Sequence, residues 1–240
     1  MLRRKLTIII PCKNEESYIG NLLDDLAYQV GIEETKVIIA DGNSTDSTLS
    51  VIEHRKLIYE GILDIVITEG GKVSRARNNG AALANTPFLL FIDADTRLFD
   101  PFTIVDTLNH LEHRGKKLLT CKLKCYEGTQ LDNFLFSTYN YVHAGLTKFT
   151  PFAIGTYFMV RAKDFNYYGK FNEDSNTCED FLFSQNFSVE EFCFHDHYVG
   201  QDNRRLLKMG RLGMAKYLLT NLISHLRKDN KRFQKDVGYW

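Results

Sequence analysis

Four short segments hold polar and charged side chains whose types and spacing could do chemistry together. Asp93 and Asp95 stand two residues apart, directly after the apolar run Phe88–Ile92. Two carboxylates so placed suit a hard divalent cation such as Mg²⁺ or Mn²⁺, which prefers oxygen ligands and often binds carboxylates together with substrate phosphates. Such an ion would neutralise charge on a departing diphosphate. The alternative is a strand-end turn with solvated aspartates.

A second segment begins at Asp41, which ends the apolar run 37–40. An aspartate in this position could accept a hydrogen bond from the N–H of a nucleobase. Residues 42–48 are rich in turn formers and helix-capping side chains. A helix cap at Asp46 or Ser47 explains that stretch without any ligand, but it explains Asp41 less well.

The third and fourth segments hold opposite charges. Arg75 and Arg77 begin a predicted helix, where the helix dipole disfavours cations, so their placement indicates an anionic ligand nearby. The alternative is a pair of solvated arginines. Glu179 and Asp180 precede three apolar residues, and such surroundings can raise a carboxyl pKa, as a general base requires. The alternative is that these acids complement the dipole of a helix.

The elements that must position these segments alternate along the first half of the chain. Hydrophobic periodicity predicts strands at 6–10, 37–40, 65–67 and 88–92, with helices at 18–26, 48–57, 74–84 and 100–113. This order predicts parallel βαβ units with right-handed crossovers, in one doubly wound, mostly parallel sheet flanked by helices. Ligands of such sheets bind beyond the carboxyl ends of the strands, so the first three segments should share one rim.

The second half of the chain is less regular. Its pattern predicts strands at 118–126, 153–160 and 192–199, and helices at 131–146, 179–186 and 206–226. No internal repeat or low-complexity linker divides the chain.

Composition limits the class of function. The 240 residues include 30 Lys plus Arg and 30 Asp plus Glu, and this zero net charge argues against a nucleic-acid partner. Five scattered cysteines predict reduced thiols in a cytoplasmic protein rather than a disulfide framework or a zinc site. No stretch approaches the roughly 20 apolar residues that span a bilayer.

Taken together, the order and spacing of the motifs resemble family-2 inverting glycosyltransferases with the type A glycosyltransferase fold. The residues of Asp41-Gly42-Asn43-Ser44-Thr45-Asp46 are close to that family's Asp-Gly-Ser-Thr-Asp signature, and Ala76-Arg77-Asn78-Asn79-Gly80 is similar to its Ala-Arg-Asn-x-Gly segment. Asp93-Ala94-Asp95 matches the Asp-x-Asp motif, and Glu179-Asp180 matches the acidic pair that holds the catalytic base. The resemblance covers about residues 5 to 185.

The resemblance implies a role for each motif. Asp180, with Glu179 beside it, would be the catalytic base, and Asp95 with Asp93 would hold Mn²⁺ or Mg²⁺. Some type A glycosyltransferases use a downstream histidine as an extra metal ligand, which makes His197 a candidate unless it is structural. Gly155 would lie on the acceptor side. The nucleotide of a nucleotide-sugar donor, with uracil as the expected base, would be bound by Pro11, Asn14, Glu15, Asp41, Arg75, Arg77 and Asp93.

Two departures from the family pattern bear on the acceptor. No arginine follows the acidic pair within residues 181–186. Residues 201–205 match the Gln-x-x-Arg-Trp motif of processive members only in part, because they lack the tryptophan. We therefore expect a non-processive enzyme of polysaccharide biosynthesis acting on a glycan or lipid-linked glycan. The alternative is a non-catalytic nucleotide-sugar binding protein. The catalytic domain would span 1–202, with a nucleotide-binding half at 1–115 and an acceptor half at 116–202.

The remaining segment, 203–240, is predicted to be a basic amphipathic helix. Between 203 and 236 its only acids are Asp229 and Asp236, which leaves a local charge of +8. Such a helix could bind the inner face of the cell membrane, or it could pack on its own sheet or on a second copy in a homodimer. The ten basic residues are Arg204, Arg205, Lys208, Arg211, Lys216, Arg227, Lys228, Lys231, Arg232 and Lys235.

Overall fold

A computed structural model of the protein describes residues 2–175 and 177–210, together with residues 213, 216 and 220. The strands within these residues are β1 Leu6–Cys12, β2 Thr35–Asp41, β3 Leu63–Glu69, β4 Phe88–Ile92, β5 Arg97–Leu98, β6 Leu118–Cys125, β7 Tyr157–Arg161 and β8 Phe192–Gln201. The helices are α1 Ile19–Ala27, α2 Thr48–Ile58, α3 Val73–Ala82, α4 Thr103–His113, α5 Gln130–Leu146, α6 Ala162–Tyr167, α7 Glu179–Ser184 and α8 Arg204–Met209. A 3-10 turn at Leu2–Arg4 precedes β1.

All eight strands form one sheet in the order β3-β2-β1-β4-β7-β6-β8-β5. The first four strands are mutually parallel, and every residue of β1 and β4 is buried. Burial on both faces explains why these strands are continuous apolar runs rather than alternating patterns. The predicted α/β class, with a mostly parallel sheet flanked by helices, is confirmed.

The second half of the sheet is mixed. β7 pairs antiparallel with both β4 and β6, whereas β8 runs parallel to β6. The strand predicted at 153–160 begins only at Tyr157, because the backbone N–H of Gly155 is bound by the Asp180 carboxylate instead of a neighbouring strand. β5 was not predicted, since two residues are too few to show a period.

Several helix boundaries differ from the sequence prediction, most of them by one or two residues. α4 begins at Thr103 rather than near residue 100, because the carbonyl of Pro101 accepts from Val30 N and the Asp100 carboxylate accepts from Phe102 N, at 2.8 and 2.9 Å. The helix predicted at 206–226 is described only as α8 and at three isolated positions, and the rest of it lies outside the described residues. No helix within the described part is long and apolar enough to cross a bilayer.

Apolar side chains pack on both faces of the sheet. One cluster joins β1, β2 and β4 to α1 and α4. The other is rich in phenylalanine and joins β4 and β7 to α6 and α7. This second cluster matters for the site because it fixes α7, which begins with the acidic pair Glu179-Asp180.

Candidate active site

The predicted site residues other than His197 lie near the edge where the parallel strands β1, β2 and β4 end. The carboxyl ends of parallel strands share one edge, so Cys12, Asp41 and Ile92 bring the loops that follow them together. Hydrogen bonds join the β1 and β2 loops: Thr45 N donates to the Asn14 side-chain oxygen and Glu15 N donates to the Thr48 hydroxyl, both at 2.8 Å. The acidic pair at the start of α7 reaches the same edge from the second half of the chain.

Asp41 ends β2 with its carboxylate held in place. Ser44 donates to both Asp41 oxygens, from its hydroxyl at 2.6 Å and from its backbone N–H at 3.1 Å. The Asp41 carbonyl accepts from Gly70 N at 2.7 Å, and a side chain at Gly70 would collide with the Asp41 backbone. The Asp41 carboxylate is therefore oriented before any ligand binds.

Asn14 and Pro11 have structural contacts that the sequence did not reveal. The Asn14 side-chain oxygen accepts from Thr45 N at 2.8 Å, and Asn14 N donates to Ser44 Oγ at 2.9 Å. Asn14 adopts a φ of 54°, a left-handed conformation that asparagine tolerates better than most residues. Pro11 is buried within β1. Asn14 thus helps to fix the loop that follows Asp41, and the nucleotide contacts predicted for Pro11 and Asn14 stay predictions.

The residues of the Ala76–Gly80 motif, in the middle of α3, have different contacts. Asn78 binds both backbone groups of Phe171, donating to its carbonyl at 2.9 Å and accepting from its N–H at 3.1 Å. Asn79 donates to the carbonyl of Glu69 at 3.0 Å. A Cβ at Gly80 would lie 2.5 Å from Ile9 Cγ2, so glycine lets α3 pack closely on β1. This packing places Arg77 between Asp93 and Glu179.

The two arginines of α3 have different environments. Arg75 is exposed, whereas the Arg77 side chain is only 2% exposed. Arg77 Nη2 lies 2.6 Å from Asp93 Oδ1, and Arg77 Nη1 donates to Glu179. Burial by itself lowers the pKa of Arg77, but the charges of Asp93 and Glu179 outweigh it and raise that pKa above its usual value. Arg77 therefore remains a buried cation that links the Asp-x-Asp segment to α7.

The acidic pair of α7 divides its contacts. Glu179 pairs with Arg77, whereas Asp180 accepts from the backbone N–H groups of Gly155 and Phe181, the latter at 2.7 Å. Burial, reinforced by the charge of Glu179, raises the pKa of Asp180 above its ordinary range, although Arg77 opposes the rise. Asp180 is thus the carboxylate of the pair whose proton affinity suits a base.

Glycine at position 155 is required by the geometry of this cluster. A Cβ there would collide with Arg77 Nη2 and would lie 3.1 Å from Asp180 Oδ2. The predicted acceptor-side residue therefore contacts the predicted base. Behind it, Phe183 of α7 packs against Phe158, Phe165 and Phe171 with ring centroids 5.2 to 5.8 Å apart, which fixes the helix that holds Asp180.

Asp93 and Asp95 point to different partners. Asp93 pairs with Arg77, whereas Asp95 Oδ2 lies 2.7 Å from Nη2 of Arg204. Arg204 also contacts both oxygens of Glu15, at 2.9 and 3.0 Å. Burial raises the pKa of Glu15, and the hydrogen bond and charge of Arg204 offset part of that rise. Arg204 was not among the predicted site residues, although it lies in the partial match to the Gln-x-x-Arg-Trp motif at 201–205.

The carboxylates around Asp95 fit a divalent cation. Asp95 is 5% exposed, and its carboxylate already faces a positive group in Arg204. No group of three or more His, Cys, Asp or Glu side chains among the described residues is arranged to hold a metal ion. These residues suit an ion held by one or two carboxylates and completed by phosphate oxygens, which is common for Mg²⁺ and similar ions, rather than an all-protein cage.

His197 lies apart from this cluster in its contacts. Its ring nitrogens face Asp106 at 3.1 Å and Asp100 at 3.4 Å, beside α4. Its ring also stacks on that of His195 at 5.1 Å. These contacts explain the histidine without a metal and do not bring it to Asp95, so its predicted role as a metal ligand has no support from the geometry.

Comparison with known proteins agrees with the sequence motifs. Poly(ribitol-phosphate) β-N-acetylglucosaminyltransferase TarS of Staphylococcus aureus is 29% identical over 137 residues, which are 55% of this chain and 23% of TarS. Poly(ribitol-phosphate) β-glucosyltransferase of Bacillus spizizenii is 28% identical over 138 residues, 57% of this chain and 22% of that protein. The chain thus spans less than a quarter of the length of these relatives.

Two solved structures share the fold. The mannosyltransferase PcManGT of Pyrobaculum calidifontis, in complex with GDP-Man and Mn²⁺, superposes with a TM-score of 0.74 at 19% identity, covering 94% of this chain and 65% of that one. S. aureus TarS 1-349 in complex with UDP-GlcNAc superposes with a TM-score of 0.58 at 22% identity, covering 83% of this chain and 56% of that one. The family model described as glycosyl transferase family 2 matches residues 7–170, so the chain belongs to that family.

Proposed function

We propose that this protein transfers a sugar from a nucleoside-diphosphate sugar, with a UDP-sugar as the first candidate, to an acceptor hydroxyl. The reaction is metal-dependent, inverting and non-processive. One observation carries the proposal: the buried Arg77 guanidinium binds both Asp93, beside the metal-binding Asp95, and Glu179, beside the base Asp180. The donor side and the acceptor side of a transferase are thus joined at a single residue.

Donor binding uses the edge formed by β2 and β4. Asp41, oriented by Ser44, would accept from the N–H of the base, and Asp93, two residues before Asp95, would contact the ribose. Arg75, exposed at the start of α3, contributes positive charge near the phosphates. A bound Mn²⁺ or Mg²⁺ would neutralise charge on the departing diphosphate, with Asp95 as its protein ligand. The complexes of PcManGT with GDP-Man and Mn²⁺ and of TarS with UDP-GlcNAc support this class of donor.

Asp180 performs the proton transfer. It removes the proton of the acceptor hydroxyl while the oxygen attacks the anomeric carbon, and the bond from that carbon to the diphosphate oxygen breaks with its electron pair on the diphosphate. Attack opposite the leaving group inverts the anomeric configuration. Glu179 is less suited to this role because its carboxylate is paired with Arg77. The raised pKa of Asp180 brings its proton affinity closer to that needed at neutral pH.

The acceptor is proposed to be a glycan or a lipid-linked glycan. The names of the two relatives, both poly(ribitol-phosphate) glycosyltransferases, support a polymeric acceptor. The charge of +8 within residues 203–236 supports contact with an anionic membrane surface. Flotation with anionic vesicles should then show binding at low salt that is lost at high salt or on removal of residues 206–240. Failure to float at low salt would remove the membrane contact and leave the transfer reaction untouched.

The test of the transfer reaction is a turnover assay. A panel of UDP-, GDP- and other nucleotide sugars is first screened by thermal shift with and without Mn²⁺, because a bound donor stabilises the native state. Donors that bind are then assayed for release of nucleoside diphosphate with glycan and lipid-linked acceptors. We expect release that requires the divalent ion and gives an inverted product. Binding without release by any acceptor would favour the non-catalytic binding protein, and full activity in excess chelator would contradict the metal dependence.

A further inference from the structure

The contacts of Arg204 place a positive side chain where the metal is expected. Its guanidinium joins Glu15 from the β1 loop to Asp95 from the β4 loop, with Nη2 hydrogen-bonded to both carboxylates at 2.9 and 2.7 Å. Asp202 lies 3.8 Å from Arg204 Nε. One guanidinium, with a single positive charge, therefore lies among three carboxylates that converge from separate segments.

Further contacts hold the Arg204 guanidinium in this position. The guanidinium also lies over the Tyr18 ring, 4.7 Å from its centroid, which is a cation–π contact. Burial by itself lowers the pKa of Arg204, but Glu15 and Asp95 outweigh it and raise that pKa above its usual value. The side chain remains charged at any physiological pH, so it can be removed from the carboxylates by movement but not by deprotonation.

Movement is physically reasonable at this position. The Arg204 side chain is 37% exposed, unlike the buried Arg77. Arg204 begins the six-residue helix α8, and a cavity of about 220 Å³ lies between α8 and Asp132 of α5. A short helix beside such a pocket can shift at less cost than a helix that is packed on all sides.

We propose that Arg204 is an internal counter-cation that occupies the metal position at Asp95 in the donor-free protein and must leave when a divalent ion binds. It is a positioning residue: it holds Glu15 and Asp95 in place at the cost of weakening their affinity for a metal alone. Metal binding then depends on the extra ligands that a nucleoside diphosphate supplies. The inference rests on the proposed function for the identity of the metal site.

The competition can be measured without turnover. Mn²⁺ alone is titrated into the full-length wild-type chain and into Arg204→Gln at about 0.15 M salt, with free Mn²⁺ followed by electron paramagnetic resonance. Removing a competing cation should tighten Mn²⁺ binding by roughly two- to fivefold, since partly exposed ion pairs are worth up to about 1 kcal/mol, which is a factor of about five. Arg204→Lys, which keeps a positive charge with fewer donors, should fall between the two.

Two controls separate local competition from a change in net charge. Arg55→Gln removes the same charge from a different ion pair, the one that Arg55 of α2 forms with Asp24 of α1. This variant should leave Mn²⁺ affinity unchanged, because salt at this concentration screens charges over about 8 Å. Adding Asp95→Asn to Arg204→Gln should abolish the gain, which would place the ion at Asp95. Circular dichroism confirms that each variant is folded.

The outcomes distinguish this inference from the proposed function. Unchanged or weaker Mn²⁺ binding by Arg204→Gln, or an equal gain in Arg55→Gln, would overturn the competition. Those results would leave the sugar-transfer proposal intact, because it requires metal with donor and makes no claim about metal alone. Conversely, a gain in Mn²⁺ affinity that depends on Asp95 would support the competition even if no turnover were found.

Discussion

Two arginines bind the two aspartates of Asp93-Ala94-Asp95, and they do so in different environments. Arg77 is 2% exposed, sits in the middle of α3 and pairs with Asp93 and Glu179. Arg204 is 37% exposed, begins the short helix α8 and pairs with Asp95 and Glu15. The first lies over Phe171 of the phenylalanine-rich cluster, and the second over Tyr18 near the surface.

The difference shows how one motif can serve two purposes. A buried ion pair is costly to break, because removing one partner leaves an uncompensated charge away from water. A partly exposed pair contributes little to stability, because water screens it. Arg77 is therefore suited to fix the base segment against the donor segment, whereas Arg204 is suited to be exchanged for another cation.

The largest expected effect is on stability when Arg77 is replaced. Arg77→Gln leaves Asp93 and Glu179 without their buried partner and should lower the free energy of unfolding by about 3 to 5 kcal/mol, measured by urea denaturation. If this variant does not fold, Arg77→Lys keeps the charge and should show a smaller loss. A loss below about 1 kcal/mol in the Gln variant would contradict the structural role of the buried pair.

Gly155→Ala tests the same cluster by steric means. The added Cβ would collide with Arg77 Nη2, which two carboxylates hold in place, so we expect a loss of about 1 to 3 kcal/mol in unfolding free energy and a marked fall in turnover. Gly145→Ala is the matched control, since a Cβ there meets no atom within 4 Å and alanine favours the helix. Equal behaviour of the two variants would argue against tight packing at Gly155.

The raised pKa of Asp180 predicts two pH effects. The base must be ionised, so kcat/KM should fall as pH drops through a pKa above the value of about 4 for an ordinary aspartate. The folded state favours the protonated carboxyl, so its contribution to stability is present below the unfolded-state pKa and is lost as pH rises through the folded-state pKa. The stability of Asp180→Asn relative to that of wild type should therefore be greater at pH 8 than at pH 4. If the difference in unfolding free energy between the two proteins is the same at both pH values, the raised pKa of Asp180 is contradicted.

The smallest expected effect is on stability when Arg204 is replaced. Because the Arg204 side chain is 37% exposed, water can replace part of its pairing even though Asp95 and Glu15 are only 5% and 10% exposed. Arg204→Gln should therefore lower the unfolding free energy by about 1 kcal/mol in the absence of metal, which is less than the loss in Arg77→Gln. Urea denaturation beside Arg77→Gln measures the contrast directly. A loss as large as that of Arg77→Gln would show that the two arginines are equally structural and that Arg204 cannot exchange readily.

Much of the first half of the fold could be predicted from the sequence. Strands buried on both faces leave continuous apolar runs, as in β1 and β4, and the polar residues after them mark the edge of the sheet. The second half could not be placed in the same way. The antiparallel pairing of β7 with β4 and β6 depends on contacts between distant segments, which no local period records.

The site was predictable to a similar degree. The motifs identified Arg77, Glu179 and Asp180, but the sequence could not show that Arg77 is buried between two carboxylates, because burial is a property of tertiary packing. Nor could it show that Arg204, 109 positions from Asp95, would face that carboxylate. Nor could the sequence show that the Asn14 side-chain oxygen accepts from Thr45 N; its predicted nucleotide contact stays a prediction.

The most direct test of the account compares three proteins on a donor that binds. Nucleoside-diphosphate release and nucleotide affinity are measured in parallel for wild type, Asp180→Asn and Asp95→Ala. We predict that Asp180→Asn lowers turnover by roughly 100-fold or more with little change in nucleotide affinity, whereas Asp95→Ala loses both turnover and metal-dependent nucleotide binding. Turnover by Asp180→Asn at the wild-type rate would contradict the assignment of the base and with it the proposed mechanism.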